Sequence, residues 1–370
     1  MSGWKPYGSL EGPPRSILIV MLSAVGDAVQ VLPVANALRR AFPETHMTWM
    51  VQPGPYALVR DHPAVDEFLL FHRDGGESKR RGVISGLRGL LTGGGALRRA
   101  ARDKPGRRFD LVLGLQVYLK AGVLVALAPG RMKLGFDRRR ARDLNWLFTS
   151  HRIPPHPHGF GHIQDQYFEF LQHLEVDPFP VDYGLELSDI EKADQAEFFG
   201  TLEDPVCAMV LASSHPRKNW TSEGYAEVAE RITTEFGLCP LLVGGHSPEE
   251  EKAARAIHQL CPTKIRDARG GGLRRLLWLM GGSALVISPD TGPLHMARAM
   301  EVPVIGLYGL TNPKRSGPYR MFNELIVDGY ARSPGEEYPL NMELRPGGMA
   351  RITPGMVMEK VELALRSSGH

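Results

Sequence analysis

Continuous apolar runs alternate along this chain with segments whose apolar positions recur at helical spacing. Ser16–Leu22 (SILIVML) is apolar throughout, the pattern of a parallel strand covered on both faces. Asp27–Phe42 then sets Val31, Val34, Ala35, Leu38 and Ala41 on one side, as in a helix that buries one stripe. Met47–Val51, Glu67–Phe71, Leu111–Leu115 and Met132–Phe136 predict further strands, and residues 161–175 a helix. Residues 78–108, rich in Arg and Gly, read as a helix with a mobile connection; a His/Pro cluster marks 151–160 as a loop.

The texture repeats after residue 205. Strands are expected at Val206–Leu211, Leu241–Val243, Ala284–Ser288 and Val302–Leu307. Helices are expected at Glu223–Phe236, Pro248–Leu260 and Leu273–Met280, after Gly292, and at Ile352–Leu365. Thr221 and Ser222 are candidate caps. Strand–helix alternation predicts an α/β protein of two Rossmann-like, doubly wound domains facing a central cleft. The expected domains are 1–180 and 205–370, joined by a linker at 181–204, with the final helix packing back toward the first domain. Ligands of such sheets bind beyond the carboxyl ends of the strands, which is where chemistry is sought.

A length of 370 residues suits two domains, and 43% hydrophobic with 23% charged residues excludes wholesale disorder. No apolar run approaches the roughly 20 residues that span a bilayer. Met1–Pro14 lacks the apolar core of a secretory signal, so a cytoplasmic location is expected. Cys207, Cys239 and Cys261 are too few and scattered for a disulfide framework or a zinc site and are read as buried thiols. The net charge of +3 conceals an asymmetry: residues 1–150 carry 23 Lys and Arg against 12 Asp and Glu, the remainder 21 against 29. Either the first half meets something anionic, or its basic face is merely solvated. Without interleaved aromatics or a recognisable binding motif, nucleic acid is not an expected partner.

The first strand ends in Ser23-Ala24-Val25-Gly26-Asp27, leading straight into a helix. Asp27 either performs chemistry there or only complements the helix dipole. In the second half, Pro289-Asp290-Thr291-Gly292-Pro293 precedes Leu294-His295. Pro293 suits the first helical position, and the N–H groups of that helix start suit a pyrophosphate; an ordinary capped helix is the alternative. His295 alone reads more readily as a structural histidine than as a catalytic one. Ser213, Ser214 and Lys218 follow another strand, offering hydroxyls and a compact cation to a phosphate. One of Glu249, Glu250 and Glu251 could accept hydrogen bonds from a ribose diol, the others being solvated first-turn acids. With no Asp-x-Asp pair, no HExxH and no zinc spacing, neither a metal nor a cofactor is expected.

These turns, in this order, resemble the lipopolysaccharide heptosyltransferases of glycosyltransferase family 9. The likeness is strongest in ILIVMLSAVGDAVQVLPVANALRRAFP and SPDTGPLHMARAMEVPVIGLYGLTNPKRSGPY, with support from RKNWTSEGYAEVA, GGHSPEEEKAARAI and GLQVYLKAGVLVA. The resemblance implies a GT-B fold and an inverting, metal-independent transfer of L-glycero-D-manno-heptose from ADP-heptose. The acceptor would be Kdo-lipid A or its heptosylated form. On this likeness Asp27 is the general base. Lys218, Ser213, Ser214, Glu249, Asp290, Thr291, Gly292 and His295 take the donor. Gly26, Gln116, Lys120, Arg80, Arg81 and Arg142 are expected on the acceptor side, with Arg98, Arg99, Arg138, Arg139 and Arg140 as further cations. The partners implied are the nucleotide-sugar, a lipid-linked anionic saccharide and, peripherally, the cytoplasmic face of the inner membrane. The alternative is a GT-B glycosyltransferase or epimerase using another nucleotide-sugar, such as a UDP-sugar.

Overall fold

The structure is a computed structural model that describes residues 10, 12–73 and 83–367. The chain divides into two units, Met1–Gly184 and Leu185–His370.

The first unit runs β1 (Ser16–Val20), α1 (Val25–Ala41), β2 (His46–Val51), α2 (Pro53–Val59), β3 (Glu67–Leu70) and α3 (Val83–Ala100). It continues with β4 (Phe109–Gly114), α4 (Leu119–Leu127), β5 (Gly130–Gly135), a 3-10 turn at Asn145–Phe148, β6 (His151–Arg152) and α5 (Ile163–His173). The strands form one sheet in the order β3-β2-β1-β4-β5-β6. All its pairings are parallel, with Ile17 of β1 facing Met47 on one side and Leu111 on the other. β1 is buried at every position, as its unbroken apolar run requires. Helices α1, α2 and α5 pack together, and α3, α4 and the 3-10 turn pack together, as double winding demands. Two helices of this unit were not legible in the pattern: α2 is seven residues opened by Pro-Gly, too short to show a period, and α4 is apolar on nearly every side, so it shows no stripe.

The second unit opens with α6 (Asp189–Gly200), then β7 (Val206–Val210), α7 (Ser222–Phe236), β8 (Cys239–Val243), α8 (Pro248–Leu260), β9 (Arg266–Asp267) and α9 (Gly272–Gly281). β10 (Leu285–Pro289), α10 (Gly292–Ala299), β11 (Val304–Tyr308), α11 (Pro313–Ser316), β12 (Ile326–Asp328) and α12 (Pro354–Ser367) complete it. The sheet order β12-β11-β10-β7-β8-β9 repeats, strand for strand, the winding of the first. In each unit the order reverses beside the first strand, between β1 and β4 and between β7 and β10.

Two expectations change, the linker and the place of Pro293 in its helix. The stretch expected as a linker holds α6, whose start is fixed by a capping box: Glu191 N–H donates to Ser188 Oγ, and Ser188 N–H to the Glu191 carboxylate. Arg274 of α9 clasps Glu191 through Nε at 2.7 Å and through Nη2, so α6 is part of the second unit. The closing helix α12 packs on α7, β11 and β12 of its own unit, with Val357 and Val361 fully buried. Pro293 occupies the second helical position of α10, because the helix already starts at Gly292.

Candidate active site

The turn after β1 lies at the switch point of the first sheet. Ala24 offers no capping side chain to α1; instead its own N–H donates to Asp27 Oδ2 at 3.0 Å. Asp27 is half-buried. Gln116, at the carboxyl end of β4, clamps the turn from the neighbouring strand. Its Nε2 donates to Ser23 O at 2.5 Å, and its Oε1 accepts from Leu22 N–H at 3.3 Å. The structure thus brings Gly26, Asp27 and Gln116 together, with Gln116 fixing the backbone that presents the carboxylate. Its amide oxygen and one amide N–H are engaged by that backbone, which gives Gln116 a positioning role.

The second switch point holds the denser cluster. Lys218 Nζ donates to Asp290 Oδ2 at 2.7 Å and to Asp290 O at 3.1 Å, tying the loop after β7 to the turn after β10. Asp290 Oδ2 also accepts from Thr311 Oγ1 at 2.5 Å and from Ser316 Oγ at 3.4 Å. Asp290 is buried, which alone raises a carboxyl pKa; nearby Lys218 and His295 outweigh burial and hold it below the usual range. A carboxylate so engaged is no proton acceptor. It acts as a fixed counter-charge that aims a lysine. Two of the three ammonium protons point at Asp290, and the side chain keeps 23% of its surface exposed, so a third donor remains for a ligand anion. Thr291 is the N-cap residue of α10 but makes no side-chain cap, and the helix presents its amino end beside this lysine–aspartate pair. His295, one turn in, is buried.

The remaining donor-side candidates separate by environment. Ser213 Oγ is engaged in its own turn, accepting from His215 N–H at 3.1 Å and donating to His215 O at 2.9 Å; Ser214 is exposed. Of the three acids opening α8, Glu250 is spent on capping, accepting from Gly245 N–H at 2.7 Å and Ser247 N–H at 2.9 Å. Glu251 is taken by His246 Nδ1 at 2.6 Å, a hydrogen bond that together with Arg269 holds its pKa down. Glu249 is exposed and makes no hydrogen bond or ion pair among the described residues, which leaves it available to a diol. Thr311 and Ser316 were not singled out from the sequence. The signal was the loop after β11, a carboxyl-terminal strand end of the same sheet.

On the first unit, Lys120 stands near the start of α4 with Nζ 5.7 Å from the centroid of the Phe71 ring. Burial and the like charge of Arg73 lower its pKa, as expected of two cations sharing one spot. Arg142 is exposed, 5.8 Å from the Tyr118 ring. Arg140 is not available to a ligand. It is buried, donating to Asp137 Oδ2 at 2.5 Å and Glu169 Oε2 at 2.6 Å, and so locks its loop onto α5. Arg80 and Arg81 lie outside the described residues. Among the described residues no three His, Cys, Asp or Glu side chains are grouped to hold a metal ion, and no helix is long and apolar enough to cross a membrane.

The sequence and the fold both have relatives. The model of glycosyltransferase family 9 (heptosyltransferase) matches residues 97–340. Lipopolysaccharide core heptosyltransferase OpsX of Haemophilus influenzae is 30% identical over 332 residues, covering 88% of this chain and 87% of that protein. Among solved structures, a family 9 glycosyl transferase from Veillonella parvula superposes with a TM-score of 0.77 at 22% identity, covering 95% of this chain and 97% of that one. Escherichia coli heptosyltransferase WaaC with ADP gives 0.70 at 22% identity, covering 94% and 99%. The fold is therefore the α/β GT-B fold of these proteins.

Proposed function

This chain belongs to glycosyltransferase family 9, and from that premise we propose that it moves L-glycero-D-manno-heptose from ADP-heptose to the inner core of lipopolysaccharide. The observation that carries the reading is the Lys218–Asp290 pair beside the amino end of α10, at the strand ends where a nucleoside diphosphate binds in such sheets. The names of its relatives, a core heptosyltransferase and one solved with ADP, support the sugar and the nucleotide.

In this mechanism the acceptor hydroxyl forms a bond to the anomeric carbon of the heptose. The bond from that carbon to the diphosphate oxygen breaks on the opposite face, inverting the centre. Charge grows on the departing ADP through an oxocarbenium-like transition state. Lys218 and the N–H groups that open α10 meet that charge from fixed positions, so the stabilisation needs no reorganisation and no metal ion. The acceptor proton passes to the Asp27 carboxylate. Glu249 takes the ribose diol. Lys120 and Arg142, together with Arg80 and Arg81, hold the phosphates and carboxylates of a lipid-linked acceptor at the cytoplasmic face of the inner membrane.

Transfer assays offering ADP-heptose to acceptors with no, one or two core heptoses test this directly. Transfer to one of them that persists in EDTA supports the reading. Failure with all of them, or tighter calorimetric binding of UDP than of ADP, overturns it.

A further inference from the structure

Helix α3 carries apolar side chains on both of its faces. Several inward positions are glycines: a methyl group on Gly93 would press on Leu124 and Phe71, and one on Gly89 would meet the backbone carbonyls of His72 and Arg73. These absences of side chain let α3 lie close against α4. Leu97 is buried and Leu90 packs on the core, but two leucines go outward, Leu87 at 59% and Leu91 at 66% exposure. At about 100° per residue, Leu87, Leu91 and the exposed Arg98 fall on one stripe roughly 40° wide.

The neighbours on the same side of the first sheet continue this surface. Tyr118 and Leu119 at the start of α4 are 48% and 45% exposed, and Leu144 and Leu147 around the 3-10 turn are 60% and 55% exposed. The only other large apolar side chains exposed among the described residues of this unit are Leu70 and Phe179. None lies on α1, α2 or α5, so among the helices of this unit the exposure is confined to one layer. Arginines frame it: Arg88, Arg98, Arg99, Arg138, Arg139 and Arg142 are all exposed. Apolar side chains able to enter the headgroup boundary, ringed by cations able to meet lipid phosphate, fit an anionic interface better than a protein surface.

We propose that the layer formed by α3, the start of α4 and the 3-10 turn at Asn145–Phe148 is the face by which this protein lies on an anionic phospholipid bilayer. The proposal rests on the lipid-linked acceptor of the reading above and names the surface that would bring the enzyme to it. Both α3 and α4 begin at the carboxyl ends of their strands, so the docking face adjoins the edge that carries Lys120.

The test is sedimentation of the full chain with phosphatidylcholine vesicles containing or lacking phosphatidylglycerol. The wild type is expected to sediment only with the anionic vesicles, and less as salt rises. The double substitution Leu87→Ser with Leu91→Ser, at exposed positions that leave the fold intact, is expected to weaken this binding at least tenfold. Arg98→Gln with Arg99→Gln is expected to weaken it about 30-fold. A wild type that ignores anionic vesicles, a leucine variant that binds them undiminished, or a leucine variant whose only change is loss of self-association overturns the proposal. Transfer to a water-soluble, deacylated acceptor separates the two ideas. The leucine variant is expected to keep that activity; if the wild type lacks it, the heptosyl transfer reading fails while the vesicle result stands on its own.

Discussion

The Lys218 ammonium donates to both the carboxylate and the main-chain carbonyl of Asp290, across 72 positions of sequence. One acid thereby fixes one cation at two points and ties two loops of the second sheet together. Lys218→Met removes the charge and leaves Asp290 buried without its counter-ion. ADP affinity measured by calorimetry is expected to fall about 10- to 100-fold, and stability by about 1–3 kcal/mol. Asp290 titrates below its ordinary range when folded, so its contribution to stability exists above the unfolded pKa and disappears as pH falls through the folded one. Without Lys218, burial prevails, and the acid-unfolding midpoint moves to higher pH.

Asp27→Ala is expected to lower kcat by about 10²–10⁴-fold, the usual worth of a general base, with ADP affinity unchanged. Because Asp27 also holds the Ala24 N–H, a loss of about 1 kcal/mol in stability accompanies it. Asp27→Asn retains an oxygen for that N–H and separates the two effects: it recovers stability but not kcat. A variant with near-normal kcat would remove Asp27 from the reaction.

Lys120→Ala is expected to raise the acceptor KM at least tenfold while leaving the donor KM unaltered. Since burial and Arg73 lower the Lys120 pKa, acceptor binding weakens as pH rises, at a lower pH than for an ordinary surface lysine. An acceptor KM that is flat through the alkaline range, or insensitive to salt, would count against a charge contact there.

Glu191 is held down to about 2 by its hydrogen bonds from Arg274, against an ordinary value of 4.5. A depressed carboxyl stabilises above its unfolded pKa, and the benefit drains away between about pH 4.5 and pH 2. Glu191→Gln is expected to cost about 1–2 kcal/mol at neutral pH, after solvent screening, and to flatten the acid limb of the stability curve over that window. Chemical denaturation at a series of pH values measures both.

The two sheets were legible because buried parallel strands need continuous apolar runs, as Ser16–Val20 shows. α6 was hidden by the prolines that flank it, although Ser188 and Glu191 spell a capping box. The turns at Asp27 and Asp290 declared themselves by lying between a strand and a helix. What they would touch did not: Thr311 and Ser316 are ordinary hydroxyl residues until the loop after β11 folds onto Asp290. Arg140 failed as a candidate for the opposite reason. Loop position suggested an exposed cation, but the two acids that bury it, Asp137 and Glu169, are identified only by the way α5 packs.

Gly309 and Gly348 meet backbone to backbone, with no room for a side chain on either, and Gly329 closes on the same spot. Thr311 therefore takes its place on Asp290 from a loop stapled to a segment nearly forty residues downstream. If the proposed donor site holds, residues 329–348 are where drift between relatives, or a designer's hand, would retune donor preference through Thr311 without changing Lys218 or Asp290.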